Sequence, residues 1–379
     1  MSVIISPSNI FDAEFEVLSI FFTENLYLFS LTLIIFSFLL SYRSFPVIVY
    51  ISVIKNLTAR PNERSSHAKS TPHLGGLGIL FGAFFVGAFF GSFLLSGDDL
   101  SIVLAINASI VVLFAAGLKD DIVGLSPYLK LISEVSSALI FVVLTDIRID
   151  NFYGIFGVNE LPILLSYCFT IFVFVVIINS FNLIDGIDGL AAALAILIFC
   201  HLSYYFIKTE LIVGLLISSS LVGGLLAFLR FNITNGKRKI FMGDVGSLVV
   251  GFLLSASVIM VLSSKFNISY EFENKPIYII ALFAFPFLDT LRVFVLRGLS
   301  GSSPFLADKN HLHHKFLNFG YTHIQSTSII ILFCLIVIGL SDYFFNSNIN
   351  KHLIITIILS VGLLVLLLSI LSVTNKKKN

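Results

Sequence analysis

The stretch Asn182-Leu183-Ile184-Asp185-Gly186-Ile187-Asp188-Gly189-Leu190 places two carboxylates and an amide between two long apolar runs. An ionised carboxylate at the centre of a bilayer costs on the order of 3 kcal/mol even on lenient scales, so acids gathered at the end of an apolar run point to ions or substrates. The i, i+3 spacing puts Asp185 and Asp188 on one face with Asn182 if the stretch is helical. Gly186 and Gly189 let a ligand approach the backbone. An unligated structural turn is the competing account. Two more acidic clusters stand in similar places, Lys119-Asp120-Asp121 and Gly243-Asp244-Val245-Gly246-Ser247. In the first, paired acids follow a helix end whose dipole repels them, so bound cations or substrate contacts are the expected compensation. A surface salt-bridge cluster with Lys119 is the alternative. In the second, a carboxylate, a hydroxyl and free backbone N–H groups open a helix and suit a magnesium-bound diphosphate. Asp244 as a plain N-cap is the rival reading.

Farther along, Ser303-Pro304-Phe305 precedes Asp308-Lys309-Asn310-His311-Leu312-His313-His314-Lys315. Three histidines within four residues raise zinc, but no cysteine is near and carboxylates abound, which favours oxygen-ligand chemistry with magnesium. That leaves the histidines as hydrogen-bond donors to phosphate or sugar, or as part of a solvated polar loop. Arg60, Arg64 and Lys69 precede the glycine-rich Leu74-Gly75-Gly76-Leu77-Gly78, and cations ahead of a helix start favour phosphate. A simple positive-inside bias would also put them there.

The elements that must position these groups are membrane helices. With 57% hydrophobic and 12% charged residues and a mean hydropathy of +1.00 over 379 residues, the chain lies outside the soluble range. Runs of roughly 20 apolar residues cross about 30 Å of hydrocarbon, and eleven candidates occur: 25–43, 74–95, 100–118, 131–145, 163–180, 190–207, 211–229, 246–264, 277–295, 326–341 and 352–373. The first could extend through Phe45 to Ile54, or that piece could lie along the interface. The fourth begins with Ser133 and Glu134, so its start is open. Loops on the side of the C-terminus carry most of the 23 Lys and Arg residues, which predicts an external N-terminus and a cytoplasmic C-terminus. That topology puts Asp120, Asp121, Asp185, Asp188, Asp244, Asp289 and Asp308 on the cytoplasmic face. The connection at 147–161 alternates enough to predict a small external β-hairpin. Cys168, Cys200 and Cys334 fall inside apolar runs and read as packing residues. The first 24 residues lack Lys and Arg, so no cleaved leader is expected. The whole reads as one polytopic domain over 1–379, in contact with lipid and not with nucleic acid.

The set Asp120-Asp121, Asn182 to Leu190 and Phe241 to Ser247, in this order, resembles the polyprenyl-phosphate N-acetylhexosamine-1-phosphate transferases of glycosyltransferase family 4, a family that also includes the phospho-MurNAc-pentapeptide translocase. The likeness runs from about Arg60 to His314. His311-Leu312-His313-His314, preceded by Asp289-Thr290-Leu291-Arg292 and Ser303-Pro304-Phe305, resembles the branch that transfers GlcNAc-1-phosphate rather than the peptidoglycan branch. The resemblance implies an all-α integral membrane fold of ten or eleven helices with a cytoplasmic-face active site. It implies transfer of a sugar-1-phosphate from a UDP-N-acetylhexosamine to undecaprenyl phosphate in the bacterial cytoplasmic membrane, with release of UMP and a need for Mg2+, for which Mn2+ could substitute. UDP-MurNAc-pentapeptide or another amino sugar remains an alternative donor, and a homodimer is compatible with the family. Carried over by residue, the resemblance makes Asp120, Asp121 and Asp244 catalytic, with Asp244 and Asp185 as metal ligands. Asp120 and Asp121 would act beside the lipid phosphate. Asn182, Asp185 and Asp188 would hold the nucleotide side, and Phe241 would stack on uracil. His311, His313 and His314 would meet the pyrophosphate or sugar, with Lys130 and Arg64 as further phosphate contacts. A secondary transporter is the remote rival, disfavoured because transporters place coupling groups near the midplane, whereas here the acids collect at helix ends.

Overall fold

The computed structural model describes residues 7–59, 71–266, 274–299, 311–344 and 347–376. In chain order its helices are α1 (Pro7–Glu24), α2 (Leu26–Ile54), α3 (Gly75–Leu94), α4 (Gly97–Val123), α5 (Pro127–Thr145), α6 (Ile163–Ile184), α7 (Leu190–Lys208), α8 (Ile212–Asn232), α9 (Gly243–Leu262), α10 (Lys275–Leu282), α11 (Ala284–Leu299), α12 (Leu312–Asn318), α13 (His323–Tyr343) and α14 (Ile349–Lys376). Strands β1 (Thr58–Ala59) and β2 (Thr71–Pro72) pair antiparallel, as do β3 (Asn151–Ile155) and β4 (Val158–Glu160). Ten of these helices are long and apolar enough to cross a bilayer, and α10 with α11 makes an eleventh, bent by 72°. The chain is an all-α integral membrane protein, since only helices with internally paired backbones cross lipid in this way.

The bend departs from the continuous span expected at 277–295. Pro286 has no N–H to donate, and its ring crowds the carbonyl of Leu282, so the helix breaks at Phe283. The first span runs unbroken to Ile54 with Pro46 inside it, so Phe45 to Ile54 extends the helix. Helix α1 lay outside the expected spans. It packs its Phe15 ring 5.2 Å from Phe93 and its Phe22 ring 5.6 Å from Phe90. The insecure start of the fourth span lies at Pro127, where the Ser126 hydroxyl accepts the Leu129 N–H and proline occupies the first turn.

Helix α9 is the hub. Every residue from Val245 to Leu262 is buried, as expected for a helix apolar on all sides. Its small residues let backbones meet: a Cβ at Gly117 of α4 would stand 2.7 Å from the Cα of Val245. Helix α4 therefore reaches the first turn of α9 directly. At the other end of α9, about 30 Å away for a helix of 20 residues, the β3–β4 hairpin is tied down by the Tyr153 hydroxyl donating to Leu262 O at 2.9 Å. The Ser264 N–H donates to Asp150 Oδ1 nearby, at 3.1 Å.

Candidate active site

The N-terminal turn of α9 collects the acidic clusters. Gly243 has φ +75°, a left-handed value that glycine tolerates, and this turns the chain into the helix with Asp244 in its first turn. The helix has no side-chain cap of its own; instead, Asp121 of α4 accepts the Asp244 N–H at Oδ1 (2.9 Å) and the Val245 N–H at Oδ2 (3.1 Å). The plain N-cap reading of Asp244 is thereby excluded. Helix α4 runs to Val123, so Asp120 and Asp121 lie in its last turn and not after its end. The repulsion expected there is offset by the N-terminus of a second helix, which attracts negative charge. Asp121 thus positions Asp244 with both of its oxygens. His73 Nε2 lies 2.9 Å from Asp121 O and fixes the same turn. Asp121→Ala is expected to lose about 1–2 kcal/mol, the usual worth of a cap, read as a lower unfolding midpoint in detergent. Asp121→Asn, which keeps one acceptor, should lose less.

Around Asp244 three more helix ends converge. Lys130 of α5 pairs with Asp244 Oδ1 and, at 3.1 Å, with Asp120 Oδ2. Asp120 Oδ1 accepts the Leu125 N–H at 2.8 Å. Asn182, in the last turn of α6, donates to Asp244 Oδ1 at 3.0 Å and to Ser247 Oγ at 2.6 Å. The side chain of Asp244 is one-third exposed against 17% for Asp120 and Lys130, so it is the carboxylate that opens to a ligand. One turn deeper, Glu134 of α5 is fully buried and accepts from Asn179 of α6.

Asp185 and Asp188 do not share a helix face, because α6 ends at Ile184 and the chain turns through 185–189, with Gly189 at φ +81°. Asp185 lies near Asp244, Asp121 and Asp188. Burial, and then those three charges, push its carboxyl well above the ordinary carboxylate range. No hydrogen bond among the described residues reaches its side chain. Asp188 is instead anchored within the protein: Oδ2 lies 2.5 Å from Lys239 Nζ and 3.6 Å from His323 Nδ1. Its carbonyl accepts from Thr327 at 3.0 Å.

A crowd of hard oxygen donors with one side chain lacking a donor fits a small divalent cation. The pH consequence follows by linkage. A raised folded pKa means that the folded state holds a proton the unfolded chain has already released, so stability falls as pH rises above the ordinary value of 3.8 toward the folded value. Without divalent ions, Asp185→Asn should melt higher than wild type at neutral pH, with the gain vanishing in acid. Added Mg2+ should raise the wild-type midpoint and leave that of the variant unchanged, in melting curves with and without EDTA.

The histidines adjoin this centre across Gly186. Asp289 of α11 is buried, and its Oδ1 accepts the Leu312 N–H at 2.7 Å. Its Oδ2 lies 3.1 Å from His313 Nδ1 and 3.4 Å from His311 Nδ1. The His313 ring packs 4.3 Å from that of His314, and both rings face Gly186. Asp289, His311 and His313 offer three ligand atoms within 4.8 Å, yet one carboxylate that takes the Leu312 N–H and His313 Nδ1, with His311 packed beside it, accounts for the same geometry. Phe241 is half-buried with Lys239 Nζ 5.5 Å over its ring, and its carbonyl accepts the Gly75 N–H at 2.9 Å. Arg64, Ser303 to Phe305 and Asp308 lie outside the described residues. Sequence reasoning missed His73, Asn179, His323 and Thr327. Only Asn179, a polar residue inside an apolar run, carried a signal.

Fold and site together define a polytopic membrane protein with a carboxylate-rich, cation-bridged centre built from helix ends on one side of its bundle. The glycosyl transferase family 4 profile matches residues 103–262. The decaprenyl-phosphate N-acetylglucosaminephosphotransferase of Mycobacterium tuberculosis is 31% identical over 76% of this chain and 76% of its own length. The probable undecaprenyl-phosphate N-acetylglucosaminyl 1-phosphate transferase of Bacillus subtilis is 29% identical over 76% of this chain and 77% of its own. The undecaprenyl-phosphate alpha-N-acetylglucosaminyl 1-phosphate transferase of Escherichia coli O157:H7 is 26% identical over 73% of each. The chain belongs to glycosyl transferase family 4.

Proposed function

We propose that the protein transfers N-acetylglucosamine-1-phosphate from UDP-GlcNAc to undecaprenyl phosphate and releases UMP, the first membrane step of a cell-surface glycan. The observation that carries this reading is the meeting of Asp120, Lys130, Asn182, Asp185 and Asp244 from four helices around one partly open carboxylate, in a chain whose relatives bear the name of that reaction. The site lies at the cytoplasmic face of the bacterial cytoplasmic membrane, with the N-terminus outside and the C-terminus inside, in keeping with the distribution of basic residues. The hairpin at 151–160 is then external.

In the reaction, an oxygen of the lipid phosphate attacks the β-phosphorus of the donor, the bond to the bridging oxygen breaks, and UMP departs with that oxygen. A phosphate monoester has a second pKa near 6, so the attacking group is largely dianionic at neutral pH and needs no general base. Asp120 fits this role of bystander to proton transfer, because one oxygen accepts a backbone N–H and the other accepts from Lys130. Lys130 and Asn182 hold Asp244 in place. Asp185 and Asp244 would hold Mg2+, with Mn2+ as a substitute. When bound, the ion neutralises diphosphate charge that would otherwise repel the incoming lipid phosphate. Phe241 would stack on uracil, beside Lys239.

Purified protein given UDP-GlcNAc, polyprenyl phosphate and Mg2+ should release UMP in step with sugar-phosphate lipid, and a panel of UDP-sugars should favour UDP-GlcNAc. UMP release from another UDP-amino sugar alone would reassign the donor. Absence of UMP with every donor, together with vesicle uptake of a solute, would favour transport.

A further inference from the structure

Asp289 is buried in α11 away from the acidic cluster, and the reaction described above gives it no task. Its position is nevertheless specific. One oxygen takes the Leu312 N–H at 2.7 Å, which fixes the start of α12, and the other faces His313 Nδ1 at 3.1 Å. The other ring nitrogen of His313, Nε2, is buried without a hydrogen-bond partner among the described residues. It faces Gly186, where a Cβ would collide with it, and Gly186 adjoins Asp185. A buried polar atom left unpaired is destabilising, so a ring nitrogen held in that condition next to a ligand site is poised for an atom of the ligand. An acceptor on Nδ1 decides what Nε2 offers. With Nδ1 held by that carboxylate, Nε2 is the nitrogen left to face a ligand, and in the doubly protonated ring it donates to anionic oxygen.

We propose that Asp289 is a positioning residue that holds His313, whose ring packs where Gly186 has no side chain, so that its Nε2 meets the phosphate next to the sugar of the nucleotide. The inference rests on the transferase reading and deepens it. Gly186 is then required by the close approach of the ring, and the glycines of 182–190 divide their work: Gly189 turns the chain, and Gly186 makes room.

The test is a double-mutant cycle with UDP-GlcNAc varied at saturating polyprenyl phosphate. Asp289→Asn and His313→Ala should each lower kcat/KM for UDP-GlcNAc by roughly 10–100-fold, the usual cost of removing a partner that orients a histidine ligand. The KM for polyprenyl phosphate should stay unchanged. The double variant should be no worse than His313→Ala alone, because the two residues act as a unit. Gly186→Ala, which leaves α11 and Asp289 intact and displaces the His313 ring, should lose activity on the same donor axis with the KM for polyprenyl phosphate unchanged, and it serves should Asp289→Asn fail to fold. Losses that multiply in the double variant, a change in the KM for polyprenyl phosphate, or full activity of Gly186→Ala would overturn the proposal. An inactive wild-type chain would instead overturn the transferase reading. Calorimetric binding of UDP-GlcNAc, which needs no turnover, would then decide the role of Asp289: weakening that fails to add in the double variant supports it, and additive weakening or no binding by wild type sinks it.

Discussion

Asparagine in place of Asp244 is expected to lower kcat for UMP release by about 10³-fold. Two unit charges about 4 Å apart at an effective dielectric near 20 interact by about 4 kcal/mol, and loss of one such stabilisation of the transition state is worth about three powers of ten in rate. Asn is close in size to Asp and keeps a carbonyl for Lys130 and Asn182, so the change removes charge and leaves the packing. The fold should survive, because Asp121 and not Asp244 caps α9. The unfolding midpoint should hold or rise as the crowding of Asp185 is relieved. Nucleotide chromatography and melting curves on the same preparation check both halves. A variant with near-wild-type turnover would remove Asp244 from the centre of the site.

The second large effect is at Lys130. Its ammonium is the one cation seen to bridge two of the site's carboxylates among the described residues, Asp120 and Asp244, each from a different helix. Lys130→Met leaves both acids facing each other and removes the opposite charge from buried Glu134 one turn below. A drop in kcat/KM of about 10²–10³ is expected, the range found when one preorganised electrostatic group is removed. Stability should fall by about 1–3 kcal/mol, less than for a deeply buried pair because the site is partly open to water. Lys130→Arg should restore little. The planar guanidinium cannot replace a compact ammonium between two carboxylates on separate helices. Steady-state kinetics of the two variants at several magnesium concentrations separates loss of the cation from loss of shape.

Much of this architecture is written in the chain as hydropathy. Ten of the eleven expected spans have a single helix at the same place, because an apolar run long enough to cross lipid has no alternative but to be helical. The exception at 277–295 was legible at Pro286, whose missing donor and bulky ring act locally. Helix α1 was not legible, since Glu16 and Asp12 make 7–24 too polar for a span while its phenylalanines still find α2 and α3. At the site, residue identity foretold that Asp120, Asn182, Asp185 and Asp244 come together, because polar and acidic groups at helix ends have few other reasons to be there. It did not foretell the division of labour. Asp120 and Asp121 are adjacent, yet a turn of 100° sends one to Lys130 and the other to the N–H groups of α9. Asp185 and Asp188 parted for a similar reason, once the glycines broke the helix that would have aligned them. Such differences arise from which helix packs against which, and an all-apolar pattern of the kind α9 carries does not reveal its neighbours.

Carboxylates from separate helix ends are proposed to form one divalent-ion site serving a sugar nucleotide. The direct measurement is Mn2+ binding followed by electron paramagnetic resonance, with UDP-GlcNAc present and the purified protein in detergent. One ion per chain is predicted, coupled to phosphorus, lost in Asp185→Asn and in Asp244→Asn and retained in His311→Ala. Undiminished binding in both aspartate variants, or loss of the ion in His311→Ala alone, would contradict the account.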